Sequence, residues 1–274
     1  MPRYVLPLLI AAAVVIALVL TWWTLGRTSI SGEAATVERD VEPFHAVEVS
    51  GAGEVVLRHG DKEHVSVETP VHGARVVADV RKGTLYLSVR DSRRWWSALL
   101  GRSRGGTVRV TVTYRDVDTI ALSGAVQLSA AALETPALRI AASGGSSVRL
   151  DNLSTRALRL SGDGALKADV SGEATDQRVS ISGAGAYNAP QLASDHASID
   201  VSGVGHVVVR VAKTLKASIS GAGSIEYYGD PQVEQHVSGV GRVTRREAAA
   251  PLHESLHIAA WPLVALPGAC AAVL

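Results

Sequence analysis

The chain has 274 residues and a formal net charge of +1, so it lacks the strong basic excess of a nucleic-acid binder and is read as having no nucleic-acid partner. Aromatic residues make up 4% of it, with a single Phe, so any core must be built from Val, Leu, Ile and Ala. Cys270 is the sole cysteine, which excludes an intrachain disulfide and a cysteine-based metal site.

In chain order, the first predicted element is an apolar span. Tyr4–Leu25 is 22 residues without a charge, longer than a secretory h-region and long enough to cross a bilayer as a helix. Trp22 and Trp23 stand where an interfacial aromatic belt would lie, and Arg3 precedes the span. Residues 1–27 therefore read as a signal-anchor helix and 28–40 as a linker. The positive-inside rule puts the following domain in the periplasm, anchored to the inner membrane of a bacterial envelope. The alternative is secretion after cleavage behind Ala34 in "GEAA".

Between Phe44 and Val117, "FHAVEVSGAGEVVLRHG", "HVSVETP", "ARVVADVRKGTLYLSVR" and "GTVRVTVTYRDV" alternate apolar and polar residues, the period of a half-buried strand. "RKGTL" reads as a hairpin-like turn. "RDSRRWWSALLGRSRGG" interrupts the alternation, and Arg93, Arg94, Trp95 and Trp96 form a candidate contact loop, because Trp and Arg suit hot spots and anionic membrane surfaces.

A Ser-Gly pair then recurs at Ser123, Ser143, Ser161, Ser171, Ser182, Ser202, Ser220 and Ser238, as it does earlier at Ser50. The steps from Ser123 are 20, 18, 10, 11, 20, 18 and 18; the two short ones together make 21, so the period is 18–21 residues. Positions one and three before each Ser are mostly apolar (Val201 and Ile199, Ile181 and Val179), and alternation resumes beyond the glycines at Val207 and Val209. Each repeat reads as strand, glycine corner, strand and short connection. It buries its apolar face only by stacking on its neighbours as parallel strands about 4.8 Å apart.

The predicted structural turns are Gly51, Gly53, Gly183, Gly185, Gly203, Gly205, Gly221, Gly223, Gly239 and Gly241. Such a corner calls for positive φ, with the Ser hydroxyl bonding turn backbone. Residues 41–246 are taken as one domain, and 247–274 as an apolar, Pro-interrupted, disordered tail.

Few residues invite chemistry. "HESLH", His253–His257, matches the HExxH zinc-protease pattern, but no third ligand follows it. The remaining histidines are scattered. A glycan-active β-helix enzyme of lyase or hydrolase type, the alternative reading, would need carboxylates and a base converging on one outer face, and Lys167, Asp169 and Asp200 are too few and too isolated for that. The expectation is no enzyme, no catalytic residue, no metal site and no cofactor.

The succession "FHAVEVSGAGEVVLRHGD", "KGTLYLSV", "VRVTVTYRDVDTIALSGA", the repeated "SISGAG", and the closing "SIEYYGDPQVEQHVSGVGRV" resembles the auto-transporter adhesin head, or GIN, domain family over roughly Val41–Arg245. The resemblance implies an all-β, right-handed parallel β-helix (a β-solenoid) and an envelope location, with no established catalytic residues. "RRWWSALLGR" looks enlarged for that family. The functional expectation is a non-catalytic β-solenoid presenting an adhesion surface. Its partners would be the membrane, through the N-terminal helix, and an envelope glycan, a lipid surface or another protein.

Overall fold

The computed structural model describes residues 35–69, 74–91 and 108–247. The apolar span, the Arg93–Trp96 loop, the HESLH motif and the tail lie outside them, and no described helix is long and apolar enough to cross a membrane.

Every described element is a strand: β1 (Ala35–Asp40), β2 (Ala46–His59), β3 (His64–Thr69), β4 (Ala74–Arg81), β5 (Thr84–Asp91), β6 (Arg109–Tyr114), β7 (Thr119–Ala130), β8 (Leu133–Ala193), β9 (His196–Arg210), β10 (Thr214–Tyr228) and β11 (Gln232–Arg245). From β2 the sheet runs through β7, β8, β9 and β10 to β11, each parallel to the one before. On its other side β2 pairs in parallel with β5 along Ala46–Gly51 and with β6 along Glu54–His59. There the sheet turns antiparallel, β4 on β5 and β1 on β3 on β6. The β4–β5 turn has Lys82 at φ 51° and Gly83 at 74°, the two positive angles that a tight hairpin twist requires.

Period-2 alternation becomes columns. Val201 is 1% exposed and stacks between Ile181 and Ile219, in register with both. Beyond the corner, Tyr187, Val207 and Ile225 form a second column. Each fully buried aliphatic side chain contributes about 1.5–3 kcal/mol, so the columns supply the cohesion that so few aromatics cannot.

Three features mark the corners. First, from β8–β9 to β10–β11 they do not interrupt the ladder, whereas between β7 and β8 the pairing skips Ala125 and Val126. Pairing continues from Ser202–Gly203 straight through to Gly205, and at two corners the serine hydroxyl donates across the ladder: Ser143 Oγ to the carbonyl of Leu122, 3.2 Å away, and Ser50 Oγ to that of Leu87, 3.4 Å away. Second, positive φ falls on the first glycine only, 142° at Gly203 and 149° at Gly221, and likewise at Gly51, Gly183 and Gly239. The second glycine is small for steric reasons: a Cβ on Gly223 would lie 2.7 Å from the Gly205 carbonyl oxygen.

Third, two of the nine Ser-Gly words are not this corner. Gly164 stacks on Gly144, and Gly183 on Gly164, so the corner glycine of that pass is Gly164, at φ 112°. Gly162 instead takes a buried inward position, where the Leu166 side chain fills the space a Cβ would need. Gly172 sits against the backbone of Leu153, at a different bend of the pass. The steps between stacked corner glycines from Gly124 are therefore 20, 20, 19, 20, 18 and 18 residues.

Candidate binding groove

The short connections between passes are also in register, and together they line an open groove of about 850 Å³. Thr135, Thr155 and Thr175 recur every 20 residues along it. The Asp195 amide then donates to the Thr175 carbonyl (3.1 Å) and the Lys213 amide to the Asp195 carbonyl (2.9 Å), which carries the row across two further passes. The threonine hydroxyls hold the bends themselves: Thr135 Oγ1 donates to Ala137 O at 3.4 Å and Thr155 Oγ1 to Ala157 O at 3.3 Å.

Charge is mixed along the groove. Arg115 is tethered by the mostly buried Glu63 (3.4 Å), and Asp195 by Lys213 Nζ (2.8 Å). The Lys213 hydrogen bond, reinforced by its positive charge, holds the Asp195 carboxyl below the usual carboxylate range. Asp195 is therefore a fixed negative charge rather than a proton donor. Asp116, Glu134, Glu173 and Arg156 also line the groove and make no ion pair among the described residues.

Beneath the groove lies a polar chain inside the core. Tyr187 Oη donates to Gln177 Oε1 (3.1 Å), Gln177 Nε2 to Ser194 Oγ (2.6 Å), and Ser194 Oγ to the Arg210 carbonyl (2.7 Å). Gln177 is 2% exposed and aligned with Ala197. Burial pushes the Tyr187 hydroxyl above its ordinary value of 10, so it stays a neutral donor. This chain fixes the Ser194–Asp195 connection from below. Sequence reasoning missed it, although the one available signal was visible: a glutamine in phase with the inward Val179 and Ile181.

The residues weighed earlier for catalysis are not brought into the groove. Lys167 Nζ lies 3.9 Å from Asp169 Oδ2, Asp169 accepts from Asn188 (3.2 Å), and Asp200 is exposed elsewhere, between Ser180 and Ser218 in the ladder. Two histidines pair locally, His196 with Thr214 (2.7 Å) and His206 with Ser224 (2.8 Å), while His59 lines the groove and packs edge-on against Tyr114. No group of three or more His, Cys, Asp or Glu among the described residues is placed to hold a metal.

With this architecture in view, the chain matches over residues 43–231 the family described as "Putative auto-transporter adhesin, head GIN domain". It belongs to that family. Among solved structures, the GIN chain is similar to a "putative adhesin" from Bacteroides fragilis, at TM-score 0.68 and 21% identity, covering 80% of this chain and 98% of that one. It is also similar to a "putative lipid binding protein" from Parabacteroides distasonis, at TM-score 0.60 and 16% identity, with 79% and 98% covered. A "putative adhesin" from Parabacteroides merdae gives TM-score 0.58 and 19% identity, with 79% and 97% covered. At these identities the likeness is one of fold. No curated protein matches the chain. The family match stops at Pro231, so β11, which repeats the Ser-Gly-x-Gly corner in register with β10, extends the stack beyond it.

Proposed function

We propose that this GIN domain is a non-catalytic binding head of the bacterial envelope. It would be wound as a right-handed parallel β-helix and held at the inner membrane, facing the periplasm, by Tyr4–Leu25. The groove of connections is its binding surface, and an extended envelope glycan is its ligand. One observation carries this reading: a long, open groove lined by a regular row of Thr135, Thr155 and Thr175 and flanked by the carboxylates of Glu134 and Glu173. Sugar hydroxyls both donate and accept, and a carboxylate takes a hydrogen bond from them more strongly than a neutral group does. Pockets for acyl chains are enclosed and apolar, which this groove is not. Ionised Asp195, tied to Lys213, is unsuited to act as a general acid, which needs a raised carboxyl pKa.

The test is equilibrium binding of the detergent-solubilised full chain to purified cell-wall and extracellular polysaccharide fractions, with anionic vesicles alongside. A Glu134→Gln/Glu173→Gln variant should bind polysaccharide about tenfold or more weakly, the scale of losing hydrogen bonds to charged groups. Equal binding by variant and wild type moves the site out of the groove. Shortening of the polysaccharide would favour the enzyme. Binding to vesicles alone, lost on Trp95→Ala/Trp96→Ala, would favour a lipid surface.

A further inference from the structure

The stack has two unlike ends. On the β2 side the parallel ladder passes into antiparallel strands, and Val49, Val55 and Leu57 are buried. At the other end β11 pairs with β10 alone, and no described strand lies along its far edge. Register places Val233, Val237 and Val243 of β11 over Leu215, Ile219 and Ile225 of β10. The β10 residues are 0% exposed, while Val233 and Val237, one pass further, are 37% and 39% exposed. An open edge of 14 residues with apolar side chains behind it is a template for another strand.

We infer that the covering strand comes from this chain, from the segment Leu252–Trp261 within the tail Ala248–Leu274. Three observations point there. The chain leaves the stack at the open end: the Arg246 amide still donates to the Tyr227 carbonyl (2.8 Å) and its guanidinium pairs with Glu226. The 27 residues of the tail carry Glu254 as their sole charged side chain, besides two histidines, so water does not solvate them well. Between Pro251 and Pro262 lie ten residues with every backbone N–H available, and Leu252, Leu256, Ile258 and Ala260 fall on one side of a strand, with Glu254 as the one charged residue on that side. A turn through Glu247–Pro251 returns this segment antiparallel to β11, as β3 lies on β6 at the opposite end. A segment tethered a few residues from its site is present there at an effective concentration in the millimolar range, so it outcompetes a second copy of the chain at micromolar concentration. The His253–His257 motif then belongs to a capping strand, and β11 is protected from edge-to-edge association.

Hydrogen–deuterium exchange on the detergent-solubilised full chain tests this, against a chain ended after Glu247 and a Leu256→Asp/Ile258→Asp variant, each at two protein concentrations. The outward amides of Gln232–Arg245 should exchange about tenfold or more slowly in the full chain. That protection should vanish in both altered chains while β7–β10 stay protected, so the double variant still decides if truncation causes aggregation. Equal exchange of β11 in all three overturns the inference. So does protection that survives truncation and grows with concentration, which would make a second copy the cap.

Discussion

Val201 Cγ1 occupies the space that a side chain at Gly205 would need: a Cβ there would lie 2.7 Å from it. The contact joins the corner to the core, because Val201 is the central member of an inward column and Gly205 the second glycine of the same turn. At Gly203 the obstacle is different. A Cβ would meet the Gly183 carbonyl oxygen at 2.2 Å, and φ is 142°.

These two glycines should therefore respond differently to alanine. Gly203→Ala opposes both backbone conformation and a fixed carbonyl, and should cost more than Gly205→Ala, which opposes one side chain. Adding Val201→Ala to Gly205→Ala should recover part of the loss, giving a coupling of about 1 kcal/mol, whereas adding it to Gly203→Ala should recover little. Thermal or urea unfolding of the set checks this. Purely additive effects at Gly205 would show that the contact relaxes at no cost.

Val201→Asp should abolish folding of the head. The position is 1% exposed, flanked above and below by isoleucine, and offers a carboxylate no partner. The readout is loss of the cooperative transition and of amide protection across β8–β10. A variant melting within a few degrees of wild type would overturn the column.

Tyr187→Phe should destabilise the domain by about 1–3 kcal/mol, because Gln177 Oε1 loses its donor in a buried site. It should also flatten stability at alkaline pH. Burial raises the folded-state pKa of Tyr187 above the ordinary 10, so above pH 10 the unfolded chain releases a proton that the folded chain keeps. The stabilisation is complete below pH 10 and is lost as pH rises beyond it. Melting curves from pH 8 to 11 should fall more steeply for wild type than for the phenylalanine variant; parallel curves would sink the assignment.

The full chain should remain in the membrane fraction after high-salt and carbonate washing, because Tyr4–Leu25 is long enough to span. Recovery of a shorter soluble form beginning at Ala35 would instead identify a cleaved signal.

Local signals account for what the sequence by itself determined. Alternation in "SIDVSGVGHVVV" is written in neighbouring residues, so strands, corners and the inward Ile199, Val201 and Val207 were legible, and so was a hairpin-like turn in "RKGTL". Membership of the GIN family followed from the order of such words. Tertiary structure alone decided which words align. "SGDG" offers two glycines two residues apart, and only stacking on Gly144 selects Gly164 and leaves Gly162 to be filled by Leu166. The groove was equally illegible, because Thr135, Thr155 and Thr175 become neighbours only when passes 20 residues apart lie side by side, and each on its own is an ordinary residue of a short connection. Gln177 looked like one more polar residue in a strand until Tyr187 and Ser194 closed around it. Periodicity fixes which way a side chain points within its own strand, whereas the partner it meets depends on register between segments that no local pattern records.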